Sequence, residues 1–316
     1  MNITQRQLRL FTVVAALQNM SRAARTMHLS QPALTRALQE FESQLGAPLF
    51  HRTTRRVALT PAGESLLPTA QRLLHDLDLV GEAMAHRVAG AQGVVSIAVG
   101  TAFGCTVLAP ALKRFAATHP GVQVRVIDAN SAAITRRVVD AEVDLGIGTP
   151  VGDVRLLACH RMLQASLGVL AHAAAYRLPR ALTAERAAEL PLLKESDDTS
   201  IMQALRVHGS PLVAHMAGGT EVNSLALQLS LAQAGVGVAV LSALGASHAM
   251  AQGLRFVPLR PVVRREVFLM HRRDRLPAPA AEALLGAVAH ALRAAPLHRG
   301  VVVDPAFKWR PDRASR

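Results

Sequence analysis

The chain has 316 residues, half of them hydrophobic and 3% aromatic, with a formal net charge of +13. That length suits two or three units with cores of their own, and the charge fits an anionic partner. No apolar run reaches membrane-spanning length, MNITQRQLRL lacks a signal core, and Cys105 and Cys159 form no CxxC, which argues against a membrane span, export, a disulfide framework or a zinc knuckle and places the expected work in the cytoplasm.

Leu8, Phe11 and Val14 put an apolar stripe on a first helix from about Thr4 to Gln18. Ser21 is read as the cap of a second helix, whose small face is Ala23, Ala24 and Met27. His28-Leu29 make a turn, Ser30 caps a third helix, and Pro32 falls in its first turn, where a missing amide proton costs little. Leu34, Leu38, Phe41 and Leu45 recur at helical spacing up to Gly46, so Gln31, Pro32, Thr35, Arg36 and Gln39 face the other way. Short polar and basic residues on such a face are what a recognition helix needs in a major groove. Leu49-Phe50 and Val57-Ala58-Leu59 then bracket Arg52, Arg55 and Arg56, a two-stranded wing with cations at its tip. Residues 1–60 hold eight arginines against two glutamates, a surface suited to phosphate contact.

The stretch from Leu8 through Ser30-Gln31-Pro32-Ala33-Leu34-Thr35-Arg36, Leu45-Gly46, Leu49-Phe50, Arg52, Arg55 and Leu59-Thr60-Pro61-Ala62-Gly63 resembles the N-terminal domain of the LysR-type transcriptional regulators. By position, the resemblance implies base or phosphate contacts for Gln31, Pro32, Thr35 and Arg36, and wing contacts for Arg52 and Arg55; Ser30, Gln39 and Arg56 join them as candidate DNA contacts. It also implies double-stranded promoter DNA as partner, assembly as a homodimer or dimer of dimers, and RNA polymerase as a further candidate partner.

Thr60-Pro61 opens a long helix to about Val88, roughly 40 Å at 1.5 Å per residue, with Pro68 expected to kink it. Leu66, Ala70, Leu73, Leu77, Val80 and Met84 form a coiled-coil seam for a second copy. After the Ala89–Gly93 hinge, apolar runs at 94–99, 122–127 and 145–147 alternate with helices at 108–118 and 132–139, which reads as a parallel α/β sheet. A second series follows: strands at 166–170, 212–216 and 238–241, and helices at 184–190, 200–207 and 224–233. The chain returns through a strand at 267–271 and a helix at 278–293, with crossovers near 161–165 and 266–270.

The expected fold is therefore an α+β winged helix-turn-helix with a long linker helix, then an α/β two-lobed domain that resembles the type 2 periplasmic-binding-protein-like effector domain of the same family. The expected divisions are 1–60, 61–92, 93–299 (lobe I 93–162 and 267–299, lobe II 163–266) and a basic disordered tail at 300–316. Ligands collect at the carboxyl ends of strands, which selects Thr101, Ala102, Asn130, Ser131, Thr149, Val222, Asn223 and Ser224 for a small effector, a carboxylate being one candidate.

No metal, cofactor or catalytic set is expected. The thirteen histidines lack ligand spacing, and Gly146-Ile147-Gly148 misplaces the third glycine of a nucleotide loop. The enzyme alternative is an α/β hydrolase with Ser247 in Gly245-Ala246-Ser247-His248-Ala249, where the last position departs from the nucleophile elbow.

Overall fold

A computed structural model describes residues 3–52, 57–88, 93–197, 199–216 and 220–309, without the side chains of 52, 75, 76 and 78–88. Two compact units result, dividing near residue 89.

In the first unit, Thr4 and Gln7 cap α1 (Gln5–Leu17) reciprocally, α2 is Met20–Thr26, and α3 is Gln31–Leu45. The cap of α2 is Asn19, whose side chain accepts the Arg22 N–H at 2.9 Å; the expected cap, Ser21, lies inside the helix. Asn caps as well as Ser, and the extended backbone of Asn19 starts the helix two residues earlier than expected. Ser30 caps α3 as expected, and Gly46 closes it at φ 71°, where a side chain would be strained. β1 (Phe50–Arg52) and β2 (Val57–Leu59) pair antiparallel, and Glu42 ties the wing to α3 by accepting the N–H of Leu49 and of Phe50. Phe11, Leu34 and Phe41 are fully buried at the centre. The wing tip, 53–56, and so Arg55 and Arg56, lies outside the described residues, as does the side chain of Arg52.

Thr60 caps the long helix α4 (Pro61–Val88), which contains Pro68. Gly63 is required there: an added Cβ would come within 2.3 Å of the Leu49 carbonyl oxygen, a backbone atom that cannot step aside. Gly63→Ala should cost about 1–3 kcal/mol, read as lost hydrogen-exchange protection in α3 with the second unit unaffected. The expected seam splits. Leu66, Ala70 and Leu74 face the core of the unit, whereas Leu73 and Leu77 are 45% and 48% exposed. Val80 and Met84 have side chains outside the description.

The second unit starts with β3 (Gly93–Val99), α5 (Thr101–Phe103), a π-helical turn, α6 (Ala109–Thr118), β4 (Val122–Asp128), α7 (Ser131–Val139) and β5 (Leu145–Gly148). β3 pairs in parallel with β4 and β5; β3 and β5 are buried, whereas β4, VQVRVID, lies at the sheet edge and is only partly covered. The long strand β6 (Leu157–His172) then carries the chain into the second lobe. There follow β7 (Leu182–Thr183), α8 (Ala184–Ala188), β8 (Leu192–Lys194), α9 (Ser200–Val207), α10 (Leu212–His215), β9 (Thr220–Glu221), α11 (Leu225–Gln233), β10 (Val238–Ser242), α12 (Ala243–Ala246) and β11 (Leu254–Arg260). β12 (Arg264–Arg272), α13 (Pro279–Ala294) and β13 (Val301–Val303) return to the first lobe. Each lobe has its own core: α6 and α13 over β3, β5, β6 and β12 in one, and the buried faces of β6, β8, β10 and β11 in the other.

Three expectations fail here. The sheet is mixed, because β12 returns antiparallel to both β5 and β6. Leu212–Met216 is a helical turn, not a strand: Pro211 starts it, and Leu212 and Met216 are both buried, four residues apart. The tail is ordered from Gly300 to Trp309. Val301–Val303 pairs with Leu163–Ala165, Phe307 enters the first lobe's core, and Asp304 accepts from Arg161 Nε at 2.7 Å. Three β-branched residues make a strand regardless of the polar, basic composition that follows; residues 310–316 lie outside the description.

Beside this strap, His271 Nδ1 faces the carbonyls of Arg272 and Arg275 and must carry the proton, so His271 Nε2 accepts from His160 Nε2 at 3.3 Å. Burial, and then the charge that His271 could carry, push His160 below the ordinary histidine range; burial does the same to His298. Folding thus favours the neutral rings. Their contribution is complete above the unfolded value of about 6.5 and is lost as pH falls through the lower folded values. A lower thermal midpoint at pH 5.0 than at pH 7.5 is expected, with the gap narrowed in His160→Asn.

Candidate functional site: a basic helix face and an inter-lobe cavity

The burial of α3 divides it cleanly. Leu34, Leu38 and Phe41 are buried, while Ser30, Gln31, Pro32, Arg36 and Gln39 are exposed and Thr35 is half-buried. Ser21 Oγ donates to Gln31 Oε1 at 2.9 Å, which fixes that amide at the mouth of the turn. Arg22 and Arg25 are exposed on α2 beside it. One capped helix end, small neighbours and exposed guanidinium groups together can approach a base edge and its flanking phosphates.

In the second unit, a cavity of about 400 Å³ opens between the lobes. Its first wall comes from the ends of β3, β4 and β5: Thr101, Ala102, Asp128, Asn130, Ser131 and Gly148. The facing wall is Glu195, Thr199, Ser200, Asn223 and Ser224, with Arg265 and Val267 of β12 between them. Side-chain caps shape both walls. Asn130 accepts from Ala133 N–H at the start of α7, Thr199 from Met202 N–H at α9, and Ser224 from Leu227 N–H at α11.

Of the residues expected in the cavity, Thr101, Ala102, Asn130, Ser131, Asn223 and Ser224 line it, and Thr149 and Val222 do not. Thr149 donates its hydroxyl to the Glu266 carbonyl at 2.5 Å, stitching β5 to β12. Val222 is buried, its N–H donating to the Lys194 carbonyl and its own carbonyl accepting from Gln228 Nε2. Both serve the frame rather than the opening.

The sequence also offers Glu195 and Ser196 as secondary contacts, of which Glu195 lines the cavity; Asp128, Ser200 and Arg265, which the sequence reading does not select, line it too. Arg265 Nη1 donates to Ser200 Oγ at 2.9 Å, and its Nε is shielded from water without a hydrogen-bond partner. Burial holds the Arg265 pKa below its ordinary value, and the nearby Glu195 carboxylate offsets only part of that. A signal did exist: Val263 just before β12, and Arg265 and Val267 within it, fall at alternate positions, and both valines are buried.

Among the described residues, no group of three or more His, Cys, Asp and Glu side chains could hold a metal ion, and no helix is long and apolar enough to cross a membrane. Ser247 donates to the Ala243 carbonyl and accepts the His298 N–H, so its oxygen fastens α12 to the returning chain rather than facing a base. The hydrolase alternative has no support.

Residues 89–293 match the family described as LysR substrate binding domain, and residues 5–64 match the bacterial regulatory helix-turn-helix proteins of the lysR family. Among relatives, the HTH-type transcriptional regulator CbbR of Xanthobacter flavus is 30% identical over 291 residues, 89% of this chain and 86% of that protein. The SDS degradation transcriptional activation protein of a Pseudomonas species is 32% identical over 300 residues, 90% and 94% of the two chains. The crystal structure of CbnR, a LysR family transcriptional regulator, superposes with a TM-score of 0.64 at 20% identity, over 92% of this chain and 99% of that one.

Proposed function

The chain belongs to the LysR family of DNA-binding transcriptional regulators with an effector-binding domain, and from that premise we propose that α3 reads an operator while the inter-lobe cavity senses a small molecule. The observation that carries the DNA reading is the exposed row Ser30, Gln31, Pro32, Arg36 and Gln39 on a helix whose other face buries Leu34, Leu38 and Phe41. Gln31 and Arg36 supply the bidentate groups that distinguish base edges, Thr35 supplies a short hydroxyl, and Arg52, Arg55 and Arg56 supply phosphate and minor-groove contacts from the wing.

Leu73 and Leu77 support a homodimer. Two exposed leucines one turn apart on a 28-residue helix leave apolar area that a second α4 would cover. Two such dimers would span an interrupted palindrome, and contact with RNA polymerase would follow at the promoter. That work belongs in the cytoplasm.

An effector between the lobes would bind one lobe arrangement more tightly than another, and that difference in affinity would shift the spacing of the DNA-reading helices. Selection of duplexes from a random pool, followed by gel-shift titration at several salt concentrations with and without metabolites, tests the whole reading. Retention of every sequence alike, with no response to any metabolite, would sink it.

A further inference from the structure

The inter-lobe cavity is chemically polarised, and we infer that its occupant is a small ampholyte, a single molecule carrying both an ammonium and a carboxylate; this rests on the reading of that cavity as the effector site. On the first lobe, Thr101 Oγ1 donates to Asp128 Oδ1 and Oδ2, at 2.9 Å each. Its only hydroxyl proton is therefore committed. That corner presents lone pairs alone, so it takes a donor, and beside an ionised carboxylate a charged donor is the stronger one.

The opposite holds where β12 meets the start of α9. Ser200 Oγ accepts from Arg265 Nη1, which leaves the serine proton to donate in turn. Arg265 Nε is buried and has no partner, and guanidinium cannot accept. This corner takes an acceptor. A carboxylate there would recover the free energy lost at a buried, unsatisfied N–H.

Charge narrows the class further. The lining holds two carboxylates, Asp128 and Glu195, against one guanidinium, Arg265. A purely anionic effector would add a like charge to an already acidic wall; an ammonium on the same molecule offsets it. The volume of about 400 Å³ admits a molecule of amino-acid size.

Thermal-shift screening of the full-length protein against the coded L-amino acids, each beside its desamino acid and its decarboxylated amine, reads the class directly. At least one amino acid should stabilise the protein and, by titration calorimetry, bind about ten-fold or more tightly than either partner compound. Asp128→Asn should remove that advantage while leaving the desamino acid unchanged, and Ser200→Ala should weaken the amino acid and the desamino acid alike. A desamino acid that binds as tightly as its amino acid, an advantage that survives in Asp128→Asn, or no stabilisation by any member of the panel would overturn the inference. Operator binding by each variant confirms that it folds. An amino acid that binds in the cavity yet leaves the operator complex unchanged refutes the effector-site reading and not the ligand class.

Discussion

Glutamate in place of both Leu73 and Leu77 will separate the protomers and lower operator affinity by about 10²- to 10⁴-fold, because two linked half-sites then bind as independent ones. The chain's own first unit should be untouched. Its core takes Ala70 and Leu74 from α4, whereas Leu73 and Leu77 point away at nearly half exposure, so a charge there meets water in the monomer. In the dimer each leucine would contribute about 1.5–3 kcal/mol of burial, and each glutamate would bring a desolvation cost instead. Sedimentation should show a monomer with unchanged far-ultraviolet circular dichroism and residual binding to a single half-site. An unaltered sedimentation coefficient in the double variant would refute α4 as the dimer seam.

The first unit was legible because several local signals agree at each position. Ser30, Pro32 and Gly46 mark the ends of α3, and Leu34, Leu38 and Phe41 mark its buried side. Where a single signal stood alone, the reading slipped. Leu73 fits a heptad as well as Leu74 fits the core, and only the neighbouring α1 decides between them. Leu212–Met216 is apolar enough for a buried strand or a buried helical turn, and periodicity cannot separate the two over five residues.

The cavity shows a different limit. Thr101, Asn130, Ser131, Asn223 and Ser224 follow strands or open helices, so the rule that strand ends gather ligands found them. That rule says nothing about a returning strand. Arg265 arrives on β12, 65 residues beyond Ser200, and meets it only through tertiary packing. Nor does it assign protons. The sequence alone suggested a threonine hydroxyl free to hold a carboxylate, and the structure turns that proton toward Asp128.

Arg36→Ala will weaken binding to the selected operator by about 1–3 kcal/mol for each half-site, while leaving affinity for random duplex much less changed. Arg36 is exposed six residues beyond the Ser30 cap, on the side opposite Leu34 and Leu38, where a guanidinium can reach two acceptors of one guanine. Losing it removes a bidentate contact that only the correct base completes, so preference at one position of each half-site should relax. Arg52→Ala provides the contrast: a phosphate contact in the wing should weaken all duplexes alike and reduce the slope of log affinity against log salt by about one per protomer. Gel-shift titrations of both variants across a salt series separate the two roles, since a base contact changes the ratio of specific to random binding and a phosphate contact changes the slope. If Arg36→Ala instead reproduced the Arg52 pattern, with the specificity ratio intact, α3 would be docked on the backbone and sequence would be read elsewhere.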